Sequence, residues 1–285
     1  MRRQIKGGER ERMSDFEWPL VSVLFITYKR FDLLKKTVES FRRNTDYPWL
    51  ELVIADDGSG PEIQEQIRTL PVDIFALLPK NRGLGANNNN GIRHCSGRYI
   101  LMIQDDWECH GPSDYLRNAV SVFDANPRLG FINFAGAPHP PDLAQRLQGS
   151  NEPCYVTPRA YEDGRKPYFL YCDQPHLQSR ASLDTVGPYI EDRDMENCEI
   201  DYNFRWQRQT QFLTAVFPAY YMKVFSNEGE ALQQSFRRTR FRYKIANWLQ
   251  PAKPFLVRHA NPVFRLGKAV VQGSVTALEK LRIVR

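Results

Sequence analysis

Apolar and polar positions in the first half of the chain alternate between two periods. LVSVLFI (residues 20–26) is an apolar run with β-branched members, the pattern of a strand buried on both faces. It is followed by FDLLKKTVESFRRN, where Phe31, Leu34, Val38 and Phe41 recur at spacings of three and four, which predicts an amphipathic helix. ELVIA (51–55), VDIFALL (72–78), RYILMI (98–103) and GFINF (130–134) read as further strands. Helical patterns fall between several of them, at PEIQEQIRTL and at SDYLRNAVSVFDAN, where Ser113 is placed to cap. Such alternation predicts an α/β fold with a mostly parallel sheet flanked by helices.

In open sheets of this kind ligands collect at the carboxyl ends of the strands, and those ends can be read directly. They are TYKR (27–30), DDGSG (56–60), PKNRGLGANNNNG (79–91) and QDDWE (104–108). Any one of them could be a plain turn, but together they bring polar, glycine-rich and acidic residues to a single rim. The last end poses a question. YILMIQDDWE closes an apolar strand on adjacent acids, which repel each other and are costly to desolvate without a partner.

Composition narrows the class. A chain of 285 residues with 42% hydrophobic residues and 12% aromatics can pack one large domain or two small ones. Its formal charge of +6 is unevenly placed. Residues 236–285 carry 12 Lys/Arg against one Asp/Glu, a local +11, so residues 1–235 sum to −5. A basic tail points to an anionic partner such as a phospholipid surface, with nucleic acid as the rival and an ordinary solvated tail as the bland alternative. Cys95, Cys109, Cys154, Cys172 and Cys198 are odd in number and form no C-x-x-C pair, which argues against a zinc cage or a disulfide framework. The N-terminus lacks the apolar core of a signal peptide, and no run of 18 apolar residues occurs. A cytoplasmic protein that at most touches the inner face of a membrane is the resulting expectation.

TYKR after the first strand, DDGS after the second, Asn81-x-Gly83 with a following Asn89-x-Gly91, and then GRYILMIQDD resemble, in order and spacing, the nucleotide-sugar half of family-2 glycosyltransferases with the GT-A fold. The resemblance covers residues 20–110 well and continues weakly to about residue 230. It implies a divalent cation, Mn²⁺ or Mg²⁺, between carboxylates and a nucleoside diphosphate, which answers the question of the adjacent acids: the cation offsets both sets of negative charge. In the family the motif is D-x-D or a relative of it, and here Gln104-Asp105-Asp106 stands in its place, the first acid having become an amide. The resemblance assigns Asp106 to the metal, Asp105 to the metal or the ribose, and Gln104 to the donor site. Thr27, Tyr28 and Arg30 are expected to line the nucleotide pocket. Asp56 or Asp57 is expected to accept from a base N–H such as the uracil imide, which favours UDP or TDP. Arg82 is a candidate for the diphosphate. The asparagine run at 87–90 reads as the start of a helix, with Asn89 reaching the donor.

Inverting transfer also needs a carboxylate to take the proton of the attacking hydroxyl. In the family it sits in an E-D-x-D-like segment opening a helix, after a Gly-containing turn and before an Arg. LDTVGPYIEDRDMENCEIDYNFRW (183–206) corresponds, which makes Glu199 the expected base and Asp201 the runner-up, with Glu191, Asp192 and Asp194 nearby. A His that often completes the family's metal site has no match here. VFSNEGE stands in that place, with Asn227 or Ser226 as the counterpart, and His94, His110, His139, His176 and His259 show no spacing that replaces it.

The sequence thus divides into a flexible basic segment (1–17), a GT-A glycosyltransferase domain (18–235, with a nucleotide-sugar half at 18–110 and an acceptor half at 111–235) and a basic helical extension (236–285). A Pro- and aromatic-rich stretch from 135 to 180 suits an acceptor lid or a structural strap. The expected partners are a nucleotide-sugar donor and a glycan or glycolipid acceptor, with an anionic membrane surface or the domain itself for the extension. Nucleic acid is disfavoured because no recognised binding motif accompanies the charge. A glycosyltransferase-like binding protein without turnover is the alternative, suggested by Gln104 and the missing His. A sugar nucleotidyltransferase is the third reading, disfavoured by the lack of an early G-x-G-T-R-like loop.

Overall fold

The structure, a computed structural model, describes residues 17–134, 145–149, 154–157, 170–191, 194–217 and 224–227. The chain divides into two compact units, Met1–Glu228 and Gly229–Arg285, and every described residue lies in the first. The basic extension and residues 1–16 fall outside the described residues, as does most of the stretch read as a lid or strap.

The elements run β1 (Val21–Thr27), α1 (Phe31–Asn44), β2 (Leu50–Asp56), α2 (Pro61–Ile67), β3 (Ile74–Leu77), α3 (Leu84–His94), β4 (Tyr99–Gln104), β5 (Trp107–Cys109), α4 (Tyr115–Ala125) and β6 (Leu129–Asn133). They continue as β7 (Gln145–Arg146), β8 (Tyr155–Val156), β9 (His176–Ser179), α5 (Arg180–Val186), α6 (Met195–Arg208), β10 (Leu213–Val216) and β11 (Phe225–Asn227). The main sheet has the order β3-β2-β1-β4-β9-β6-β10-β8-β7. Strands β3, β2, β1 and β4 are parallel to one another, β9 is antiparallel to both β4 and β6, and β10 is again parallel to β6. The sheet is therefore largely parallel and flanked by helices, with β9 reversed at its centre.

Strand β1 is buried along its whole length, and its side chains alternate between two cores, as a period of two requires. Val21, Val23 and Phe25 face the layer built with Leu34, Val38 and Phe41 of α1 and Leu116 and Val120 of α4. Leu24 and Ile26 face the opposite layer, with Cys198, Tyr202 and Trp206 of α6. Full burial of each aliphatic or Phe side chain contributes about 1.5–3 kcal/mol, so the apolar runs fix which strand lies where.

Two local expectations are corrected. Helix α3 starts at Leu84 after Gly83, not at the asparagine run, and residues 85–91 are all buried in mid-helix. The asparagines do not cap. Asn87 donates to the carbonyls of Thr27 (3.3 Å) and Ala55 (3.0 Å), and Asn90 to that of Ala76 (2.9 Å). A helix lying across the ends of three strands can add side-chain donors to the carbonyls at those ends, and short amides supply them, although the Thr27 carbonyl also accepts from the Asp57 N–H at 3.1 Å. Gly91 permits the approach, since a Cβ there would stand 2.5 Å from Leu24 Cδ1. At α4 the residue preceding the helix is Asp114 rather than Ser113, with no side-chain cap bond. Ser113 instead accepts from the Asp46 N–H through its carbonyl (2.7 Å).

Candidate active site

The carboxyl ends of β1 and β4 lie side by side because the strands pair in register from Val21↔Tyr99 to Ile26↔Gln104. This brings TYKR against QDD. Thr27 Oγ1 donates to Asp105 Oδ2 at 2.8 Å, and the Asp105 N–H donates to the Ile26 carbonyl at 3.0 Å. Arg30 Nη1 lies 3.1 Å from Asp105 Oδ1 and 3.3 Å from Asp106 Oδ2, so one guanidinium faces both acids. Asp105 is buried, and desolvation pushes its carboxyl up to about 6 against the opposing pull of Arg30 and Thr27. Asp106 keeps one carboxylate oxygen, Oδ1, shielded from solvent and without a hydrogen-bond partner among the described residues. Lys29, between Tyr28 and Arg30, adopts a left-handed φ of 57°, a conformation uncommon outside glycine and typical of constrained sites. Its N–H donates to Ser59 Oγ at 2.7 Å, tying this turn to DDGSG. Tyr28 is exposed at the rim.

These acids fit a hard divalent cation. An orphaned carboxylate oxygen beside a second carboxylate is the oxygen donor set that Mg²⁺ or Mn²⁺ takes, and such ions are commonly held by one or two carboxylates plus substrate phosphates and water. Among the described residues no three His, Cys, Asp or Glu side chains come together as a complete cage, so the remaining ligands would have to come from elsewhere. Asn227 is well placed to be near. Strand β11 pairs antiparallel with β5, setting Asn227 opposite Trp107, the residue after Asp106.

The two acids of DDGSG face inward. Asp56 accepts from the Ser59 N–H (2.9 Å), the Ser59 hydroxyl and Gln64 Nε2 (2.7 Å). Asp57 accepts from the N–H groups of Arg82 (2.7 Å) and Gly83 (2.9 Å) and from Asn81 Nδ2 (2.8 Å), and burial raises its pKa. A carboxylate offers about four acceptor positions, and three on each acid are taken, with Asp56 fully buried and Asp57 nearly so. The side chain of Arg82 pairs with Glu191 at 2.6 Å. Asn89 is committed at both ends of its amide: Nδ2 donates to the Tyr189 carbonyl (2.9 Å) and Glu191 (3.0 Å), and Oδ1 accepts from the Tyr189 N–H (2.8 Å). Asn89 thus braces the 189–191 segment, and any diphosphate recruiting Arg82 must exchange places with Glu191.

Helix α6 opens as expected, its first turn capped by Asp194, which accepts from the Asn197 N–H (2.8 Å), after the Gly187 turn with φ of 81°. Glu199 accepts from the Asp173 N–H at 3.1 Å, and burial raises its pKa. Asp201 is paired with Arg205 at 2.8 Å, and Arg205 also donates to the Val186 carbonyl (2.8 Å). The Asp201–Arg205 pair therefore pins α6 to the end of α5, while Glu199 has no cation paired with it among the described residues.

Three residues at this end of the sheet were missed by sequence reasoning. Asp173 has its carboxyl pushed up to about 7 by desolvation and then by the Glu199 carboxylate. His176, at the start of β9, stacks on Phe131 at 4.6 Å, and burial pushes its pKa down to about 4. Asn88 lies on α3. With Gln104, Ile26, Met102 and Ile103 they line one small cavity. The signal was present in CDQPHLQS. The rule of carboxyl ends holds for parallel strands, whereas the antiparallel β9 brings its amino end to the same rim.

All five cysteines are free thiols, and among the described residues no helix is long and apolar enough to cross a membrane. Comparison with known proteins agrees with this geometry. Residues 22–162 match the family model described as Glycosyl transferase family 2. A GalNAc(5)-diNAcBac-PP-undecaprenol beta-1,3-glucosyltransferase of Campylobacter jejuni is 33% identical over 123 residues, 41% of this chain and 38% of that protein. A glucosyl-dolichyl phosphate glucuronosyltransferase of Haloferax volcanii is 30% identical over 112 residues, 38% of this chain and 35% of that protein. The chain thus spans little more than a third of the length of these curated relatives. Among solved structures, the Pyrobaculum calidifontis mannosyltransferase PcManGT in complex with GDP-Man and Mn²⁺ superposes with a TM-score of 0.56 at 17% identity, over 94% of this chain and 80% of that one. S. aureus TarS in complex with UDP-GlcNAc gives a TM-score of 0.52 at 16% identity, over 74% of this chain and 60% of that one. Both likenesses establish the GT-A fold.

Proposed function

Over residues 22–162 the chain is a glycosyl transferase family 2 domain, and on that premise we propose that it is a metal-dependent, inverting glycosyltransferase. It moves a hexosyl unit from a nucleoside-diphosphate donor, UDP or TDP favoured, to a hydroxyl of a glycan or glycolipid. The observation that carries this reading is the Asp105–Asp106 pair at the end of β4, its Asp106 Oδ1 shielded and without a partner among the described residues, with Thr27 and Arg30 of the β1 turn against it. Asp105 and Asp106, with Asn227 close by in register, would hold a divalent cation. When bound, that cation would supply positive charge for the departing diphosphate, an effect on the order of several kcal/mol.

The chain's own residues do the rest. Tyr28 offers an exposed ring to the nucleotide, and Arg30 adds a cation to the same rim. Glu199 is the proton acceptor for the attacking hydroxyl. A base works best when its pKa lies near the working pH, and burial moves Glu199 in that direction. Acceptors of lipid-linked type are suggested by the relatives whose names carry PP-undecaprenol and dolichyl phosphate. The +11 segment at 236–285 would then hold the enzyme to an anionic membrane surface. Deleting it should abolish flotation with anionic vesicles, and unchanged flotation would remove that role.

The deciding experiment is calorimetric titration of the full chain with UDP, TDP, GDP and CDP, each with and without Mn²⁺. Binding of one diphosphate only when metal is present supports the reading. Gln104 in place of an acid favours a second reading, a binding protein without turnover. Metal-dependent diphosphate binding without transfer or slow donor hydrolysis would select it, and no binding to any diphosphate would sink both.

A further inference from the structure

Three residues that line one cavity each carry a polar atom with no hydrogen-bond partner among the described residues. Asp173 Oδ2, His176 Nε2 and Asn88 Oδ1 are each shielded from solvent, and their residues line the cavity between the ends of β1 and β4 and the start of β9. Buried polar groups are almost always satisfied, so three orphans in one place call for an occupant. Their chemistry says what kind. His176 Nδ1 lies 2.7 Å from the Gln174 carbonyl, which can only accept, so that nitrogen carries the proton. With the ring held neutral by burial, Nε2 is left as an acceptor. Asp173 already receives the Tyr171 hydroxyl on Oδ1, which leaves Oδ2 to accept or, when the carboxyl carries its proton, to donate, and Asn88 Oδ1 is a further acceptor. The space is that of about one water molecule, too small for a ring and right for a single hydroxyl.

The wall behind these groups is rigid. His176 stacks on Phe131, Tyr171 packs against Tyr202 at 4.4 Å, and Tyr202 stacks on Tyr189 at 4.2 Å. Gln104, the residue before Asp105, is also part of the lining. On the far side the Asp173 N–H donates to Glu199. The cavity therefore sits next to the carboxylates of the metal site on one side and the proposed base on the other.

We propose that the cavity formed by Asn88, Gln104, Asp173 and His176 reads a hydroxyl of the transferred sugar and sets which sugar the enzyme accepts. This rests on the glycosyltransferase reading. A hydroxyl could also come from the acceptor, but the cavity is bounded by the strand ends that carry the nucleotide and metal residues, which assigns it to the donor. A hydroxyl there donates its one hydrogen to His176 Nε2 or Asn88 Oδ1 and accepts from the Asp173 carboxyl when that is protonated, so an analogue that lacks it leaves these groups desolvated and unpaired and is rejected.

The test is calorimetry with Mn²⁺ and no acceptor, using UDP, UDP-glucose, UDP-galactose, UDP-N-acetylglucosamine and GDP-mannose. The wild type should prefer one nucleotide sugar, and one monodeoxy analogue of that sugar should bind about 10- to 100-fold more weakly. Asp173→Asn and Asn88→Leu should leave the affinity for UDP within about twofold and compress the preference among sugars to within about threefold. Equal binding of every monodeoxy analogue would overturn the proposal even if neither variant folds. Unchanged sugar preference in a folded variant would overturn it as well. Should the wild type bind no diphosphate at all, the donor reading fails first, and this one with it.

Discussion

Two pairs of carboxyl groups stand at one rim of the sheet, and they manage their charge in opposite ways. Asp105 and Asp106 have a cation: Arg30 lies within 3.3 Å of both. Asp173 and Glu199 have none among the described residues, and the charged groups that raise their pKa values are other carboxylates. A pair with a counter-ion can stay ionised and await a metal. A buried pair without one retains a proton instead, and that proton belongs to the pair as much as to either acid. The first pair suits charge neutralisation of a diphosphate, and the second suits hydroxyl groups that give or receive protons. This difference follows from where each acid sits, since all four are short acidic side chains on strand ends or a helix.

The largest expected effect separates the pairs by function. Glu199→Gln should lower transfer by about 10²–10⁴-fold, the usual range for loss of a general base, while metal-dependent donor binding by calorimetry stays as in the wild type. Transfer at the wild-type rate would move the base role elsewhere, with Asp201 the next candidate despite its pairing to Arg205. Next in size is the other pair. Asp106→Ala should reduce the affinity for UDP with Mn²⁺ by at least about tenfold, leaving the metal-free affinity unchanged, since an uncharged residue cannot replace a carboxylate oxygen toward a hard cation. An equal loss with and without metal would make Asp106 a structural residue.

Both acids of the first pair and Glu199 of the second are picked out by the sequence, whereas Asp173 is not. Parallel strands end where their apolar runs end, so TYKR, DDGSG and QDD mark a rim in the sequence itself. What sequence could not supply was the division of labour at that rim. Asp56, Asp57, Asn87 and Asn89 look like ligand residues, yet each is committed to backbone or side-chain partners that hold the loops and α3 in place. Short polar side chains satisfy strand-end carbonyls and turn N–H groups by the same chemistry with which they would bind a substrate, and a linear pattern does not distinguish the two. Asp173 and His176 were hidden for a different reason. They reach the rim only because β9 inserts antiparallel between β4 and β6, a long-range pairing with no local period to reveal it.

The third effect reads the proton of the second pair. Asp173 has a folded pKa of about 7 against about 4 in an unfolded chain, so the folded state holds more protons between those values. Stability from this group is complete below about pH 4 and is lost as pH rises through about 7, with a slope of at most about 1.4 kcal/mol per pH unit for one proton. Asp173→Asn should flatten that decline in urea unfolding at pH 4.5, 6 and 7.5. An identical slope in the variant would mean that Asp173 is ionised across the range and that the two pairs do not differ as described.

The smallest effect tests whether the counter-ion of the first pair is needed for folding. Arg30 has 45% of its side chain exposed against 4% for Asp105 and 13% for Asp106, so water reaches these pairs from the guanidinium side, and pairs screened in that way contribute about 0–1 kcal/mol. Arg30→Met should therefore cost no more than about 1 kcal/mol in urea unfolding at pH 7, and 0.5 M salt, roughly several times the ionic strength at which the Debye length is about 10 Å, should remove most of the difference from wild type. A cost well above that range, insensitive to salt, would show that Asp105 and Asp106 cannot both remain charged without the guanidinium. The first pair would then resemble the second, and the contrast between them would lie in Arg30 alone and not in their exposure to solvent.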